Sequence, residues 1–210
     1  MKNKEKTKNA DEKCEKTSLN PGWIKRKVPD KYADEGLQRI ILFFVINTPC
    51  VKESSSSISM SEYGWNSDVW KNETLRKELL SVADLERDKT LFVGEKLSDM
   101  KSVFENAEMK KGFQTNRKVE KVAFYKTGKY ASTIMNIFLH IRNSLAHGRL
   151  AMYKCGKDDV MLVLEDGVPK NKYFEVRSRM ILKKSTLLKW IDIITAGPSK
   201  LESNEKRKDH

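Results

Sequence analysis

The stretch from Tyr130 to His147 narrows most what this chain can fold into. Wound at about 100° per residue, it collects Thr133, Asn136, His140, Asn143 and His147 in one narrow polar stripe, flanked by Ser132 and Ser144. The rest of the circumference holds Ile134, Met135, Ile137, Phe138, Leu139, Ile141, Leu145 and alanines, interrupted by Arg142. A surface helix shows the opposite ratio, an apolar stripe on a polar body, so most of this helix must be buried. Its polar stripe is expected to face a cleft or a two-fold partner helix, with plain solvent as the alternative. Gly148 stands where a helix-ending glycine belongs.

The end of the helix reads Arg142-Asn143-Ser144-Leu145-Ala146-His147-Gly148. It joins a permanent cation to an imidazole, the side chain whose ordinary titration range spans neutral pH. Those two side-chain types suffice to cleave RNA without a metal. On an ideal helix, however, Arg142 lies about 140° from His147, inside the apolar arc. A guanidinium there is costly unless an acid or a bound anion pairs with it. Either the last turn unwinds and swings His147 round, or the long arginine reaches past the helix edge. A structural reading stands beside these, with Arg142 in an ion pair and His147 capping the helix C-terminus.

Bulk properties set the frame. A chain of 210 residues, 39% hydrophobic and 33% charged, predicts one domain with a modest core and solvated ends. Residues 1–22 read as a disordered basic tail, 23–198 as the folded domain and 199–210 as a second disordered tail. The longest apolar run, Ile40 to Ile46, is far too short for a membrane span, and the N-terminus has no apolar leader. Cys14, Cys50 and Cys155 are scattered, which predicts neither disulfides nor zinc and fits a reducing cytoplasm. His140 and His147 share the stripe but stand about 10 Å apart along the axis, too far for one ion, so no metal and no cofactor is expected. Of the formal +12 charge, nearly all falls between Ala107 and Trp190, where eighteen lysines and arginines face seven acids. Such a field attracts polyanions, RNA among them, and also serves plain solubility.

Element by element, Ala33–Asn47 reads as a buried helix or a buried strand, with Asp34 and Glu35 favouring helix and Pro49 ending it, and Ser67 to about Asp88 as a second helix. Leu91–Phe104 is predicted helical, and 107–129 a loop with a short helix. Leu150–Cys155, Val160–Glu165 and Tyr173–Ile181 read as strands joined by turns at Gly156–Asp159 and Gly167–Asn171. Ser185 is expected to cap a last helix that Gly197-Pro198 stops. The expected fold is therefore mainly α: a helical bundle with a small antiparallel β-meander, about 150–181, inserted before the last helix.

The Arg142, Asn143, His147, Gly148 pattern resembles the Arg-x4-6-His signature of the HEPN superfamily, small helical proteins that include dimeric RNA-cutting toxins and immunity factors. Together with Ser185-Thr186-Leu187-Leu188-Lys189-Trp190-Ile191, it is similar to a plasmid-encoded branch of that superfamily. The likeness covers about residues 30–197 and is most specific over 130–197. It implies a HEPN-like bundle, a homodimer through the motif helix, an antitoxin or other regulatory partner, and a role in toxin–antitoxin or anti-phage conflict. It also implies endoribonuclease activity leaving 2′,3′-cyclic phosphate and 5′-OH ends, with Arg142, Asn143 and His147 catalytic. His140, Asn136 and Ser144 would support them. Arg149 stands where toxins paired with a nucleotidyltransferase antitoxin carry tyrosine, so that mode of regulation is not implied. Lys110, Lys111, Arg117, Lys118, Lys121 and Arg149 are candidate RNA contacts, with Phe113, Phe124 and Tyr125 available to stack bases. The alternative is a non-catalytic HEPN-like module that binds nucleic acid or regulates.

Overall fold

A strand buried on both faces needs a layer on each side, and the chain between Asp159 and Lys183 supplies two such strands. The computed structural model describes residues 16–17, 23–24, 28–50, 56–110, 119–128, 132–157 and 159–199. Strands β1 (Lys16–Thr17), β2 (Leu91–Gly94), β3 (Lys121–Tyr125), β4 (Leu150–Cys155), β5 (Asp159–Pro169) and β6 (Phe174–Lys183) form one sheet. Its order is β2-β3-β6-β5-β4, with β1 also pairing with β6. Among these strands only β2 and β3 are parallel; the other pairs are antiparallel.

Helices cover both faces unequally. On one side lie α1 (Glu35–Ile41), α2 (Glu73–Val82), α4 (Thr133–Ala146) and α5 (Lys184–Thr195), packed over Val122, Phe124, Leu162, Leu164, Met180 and Leu182. On the other, α3 (Met100–Asn106) and Trp23 pack over Ala123, Met161, Val163 and Ile181. α1 is capped by Asp34, whose carboxylate accepts from the Leu37 amide at 3.1 Å. It runs on into a π-helical turn, Leu42–Asn47, that buries two consecutive phenylalanines. Phe43 and Phe44 meet edge to face at 5.1 Å, and Phe44 meets Phe138 of α4 at the same separation.

The expectation of a mainly α bundle is thus wrong: the fold is mixed α/β with a sheet at its centre. The three foreseen strands exist, but they do not form an insert. Leu91–Gly94, read as helix, and Lys121–Tyr125, read as loop and short helix, extend them to a five-strand path. The physical reason is the β6 edge. A meander alone would leave a ten-residue strand with unpaired amides in a buried position, and β3 satisfies them from Lys121 to Phe124. The second helix is also shorter than expected, because Asn72 rather than Ser67 caps it, accepting from the Leu75 amide at 2.9 Å.

The start of α5 departs from expectation as well. Ser185 does not cap it; its hydroxyl donates to Asp159, and the Ser185 amide lies 3.3 Å from the same carboxylate. Glu120 completes the cap from outside the helix, accepting from the Lys183 amide at 2.8 Å and the Thr186 hydroxyl at 2.9 Å. Among the described residues, no helix is long and apolar enough to cross a membrane. The tails foreseen at 1–22 and 199–210 lie outside the described residues apart from Lys16, Thr17 and Ser199.

Candidate functional site

α4 is held rigidly at both ends. Ser132 caps it, its hydroxyl accepting from the Met135 amide at 3.4 Å. At the other end Gly148 takes φ +62°, letting its amide donate to Leu145 O at 3.1 Å and the Arg149 amide to Ser144 O at 2.8 Å. These two bonds close the last turn completely. The His147 amide still donates to Asn143 O at 3.0 Å, so no unwinding brings His147 round toward Arg142. His147 is the exposed C-cap residue, and Arg142 and Asn143 are half-buried one turn earlier.

The middle of the polar stripe, Asn136 and His140, faces the protein's own sheet and the loop after β3, while His147 at its end is exposed. Asn136 is buried; its Oδ1 accepts from the Thr127 amide at 2.9 Å and hydroxyl at 3.1 Å, while its Nδ2 donates to Ser132 O. His140 is buried too. Its Nε2 donates to the Tyr125 carbonyl at 2.9 Å, and its Nδ1 lies 2.6 Å from Asp166 Oδ2. A carbonyl can only accept, so Nε2 carries a hydrogen and one proton lies between Nδ1 and Asp166. Ser144, also buried, donates to His140 O at 2.8 Å. Of the supporting residues foreseen, His140 ties α4 to the end of β3 and to β5, Asn136 ties it to Thr127 just past β3, and Ser144 bonds back within the helix.

Asn143 joins this framework to the motif. Its Nδ2 donates to Asp166 Oδ2 at 3.3 Å, and its Oδ1 accepts from Arg142 Nη1 at 3.0 Å. Asp166 is the residue the sequence reading missed. It sits at a β-bulge, where the register shifts between Asp166 and Gly167. With Glu165 it forms a pair of consecutive buried acids on opposite faces of the sheet. Two acids closing an apolar strand are the signal that was available.

Glu165 serves the far face. It accepts from Arg149 and, at 2.9 Å, from Arg179 Nε, and all three side chains are nearly or fully buried. Arg149 also lies 3.5 Å over the Phe174 ring, and Arg179 lies 4.8 Å over Phe104 and donates to Met109 O at 2.8 Å. Of the candidate RNA contacts, Arg149 is therefore built into the core. Lys121 donates to Ala107 O at 3.0 Å, and Lys110 pairs with Glu105. Phe124 is fully buried, Tyr125 half-buried. Lys111, Phe113, Arg117 and Lys118 lie outside the described residues. A cavity of about 350 Å³ opens between Thr48–Cys50 and Val69–Trp70 and includes no motif residue.

Away from the motif, Glu120 is a carboxyl perturbed upward by its surroundings. Burial pushes Glu120 above the usual carboxylate range, against the pull of its bonds from the Lys183 amide and Thr186 and of the Lys183 charge. Comparison with protein-family models, curated protein sequences and solved structures gave no match.

Proposed function

We propose that this protein is a metal-independent endoribonuclease of the arginine–histidine kind that the HEPN resemblance implies, working as a two-fold homodimer. The observation that carries the reading is the end of α4. On a helix otherwise packed into the protein, a half-buried guanidinium and an exposed imidazole stand at the end that opens to solvent. His147 takes the proton from a ribose 2′-OH, or returns one to the leaving 5′-oxygen. As the 2′-oxygen bonds to phosphorus and the P–O5′ bond breaks, Arg142 neutralises the charge gathering on the phosphoryl oxygens. The products are a 2′,3′-cyclic phosphate and a 5′-OH. Each contribution is worth about 10²–10⁴ in rate.

Because Arg142 and His147 leave a regular helix about 140° apart, one protomer does not aim them at the same phosphate. A second copy across a two-fold axis supplies the missing partner, and two such sets supply both an acid and a base. That same angle favours the second reading, a module that binds RNA without cutting it.

Single-turnover cleavage of total cellular RNA in EDTA tests this, with the fragment ends analysed chemically. Wild type is expected to leave cyclic phosphate ends, and Arg142→Ala and His147→Ala to cut at least about 100-fold more slowly. Intact RNA with or without added divalent metal defeats the nuclease. RNA binding that persists in Arg142→Ala without cleavage selects the binding module.

A further inference from the structure

We infer that Asp166 is the positioning residue of the Arg142 site, fixing the guanidinium through Asn143; the catalytic consequence rests on the nuclease reading above. Hydrogen-bond chemistry makes the chain directional. A carboxylate only accepts and a guanidinium only donates, so they are linked by a head that does both. Asn143 is such a head, with Nδ2 toward Asp166 and Oδ1 toward Arg142. Arginine is long and rotamer-rich, and a fixed acceptor removes freedom that it would otherwise keep.

Asp166 is itself over-determined. It is 4% exposed, is held in a bulge, and its Oδ2 meets both His140 Nδ1 and Asn143 Nδ2. Tyr125 O orients the far side of the His140 ring, keeping a hydrogen on Nε2. The anchor therefore runs from β3 through His140 to β5, then through Asn143 to the arginine.

Removing the charge at 166 has a defined effect. In Asp166→Asn, a neutral His140 that keeps its Nε2 hydrogen turns its bare Nδ1 to the new amide nitrogen. That nitrogen then also faces Asn143 Nδ2, donor against donor, so the Asn143 amide turns over and presents NH2 to Arg142. The guanidinium loses that acceptor. Asn143→Asp fails differently, by setting two carboxylates against each other. Combining the two substitutions repairs both faults. The amide nitrogen introduced at position 166 has two hydrogens, one for His140 Nδ1 and one for the carboxylate introduced at position 143. The other oxygen of that carboxylate accepts from Arg142.

The test compares wild type, Asp166→Asn, Asn143→Asp and the double swap. Each is checked for cooperative unfolding and then measured for single-turnover RNA cleavage and for the ¹H–¹⁵N signals of the Arg142 side chain, assigned by their loss in Arg142→Ala. Each single variant is expected to lower kcat about 100-fold with KM nearly unchanged and to broaden the Arg142 signals. The swap is expected to restore both to within a few-fold. If wild type cuts RNA and Asp166→Asn cuts as fast, the positioning role is wrong while the nuclease stands. If wild type cuts nothing, the nuclease falls and the Arg142 signals alone decide: sharp in Asp166→Asn, they overturn the inference; lost there and regained in the swap, they sustain it. Should Asp166→Asn fail to fold, Asn143→Asp against the swap makes the same comparison, and a swap no better than Asn143→Asp overturns it.

Discussion

Glu120 shows how one carboxyl can serve a fold and weaken it together. Its oxygens close the N-terminus of α5, where free amides need an acceptor, yet burial disfavours its charge. A carboxyl raised in the folded state adds stability that is full below the unfolded value and is lost as pH climbs through the folded one. Glu120→Gln keeps an acceptor for the Lys183 amide and has no charge to bury. It is expected to match or exceed wild type near pH 7 and to lose that advantage toward pH 4, as read by urea unfolding across the range. An advantage that instead grows on acidification contradicts the assignment. Asp34 has the opposite sign: its hydrogen bond with Lys184 holds the carboxyl below its usual range, so its contribution fades as pH falls. That group is half exposed, and solvent screening keeps its effect small.

Two helix-ending glycines separate strain from crowding at the scale of elements. Gly148 and Gly197 both adopt positive φ, +62° and +75°. A Cβ on Gly148 meets nothing within 4 Å, whereas on Gly197 it lies 2.6 Å from the Tyr63 carbonyl oxygen. Gly148→Ala is expected to cost about 1–2 kcal/mol from the left-handed backbone alone, and Gly197→Ala more, because backbone must also move. Denaturant midpoints that rank the two the other way refute this account. Both glycines were legible as helix stops, as was α4 itself, since an eighteen-residue apolar period is long enough to identify a helix. β2 and β3 were not. Runs of four and five residues are too short to have a period that distinguishes strand from helix, and only pairing decides them, β3 with β6 and β2 with β3. The fate of the polar stripe was hidden for the same reason. The partners of His140 lie 15 and 26 residues along the chain, at the end of β3 and in β5, and nothing local to α4 points to them.

At the scale of the whole molecule, Ile41, Leu42 and Ile46 remain exposed, Leu42 by 52%, on the helix that packs beside α4 through Phe43 and Phe44. Apolar surface next to the motif helix is where the proposed two-fold contact would gain most from leaving water. Leu42→Glu is expected to raise the dimer dissociation constant at least about tenfold in sedimentation equilibrium and to lower the specific cleavage rate at protein concentrations below that constant. A variant that stays as associated as wild type places the contact elsewhere.

The strand order has a consequence for synthesis. β6, the last of these six strands to leave a ribosome, occupies the slot between β3 and β5 and so joins the two halves of the sheet. A nascent chain stopped before residue 174 has β2 and β3 on one side and β4 and β5 on the other, with no strand to bridge them. Asp166 would then lack the neighbour that fixes its bulge, and α4 would lie on an open platform. Truncated translation products should therefore be unable to build the arginine site, and assembly waits until translation has passed the entire sheet.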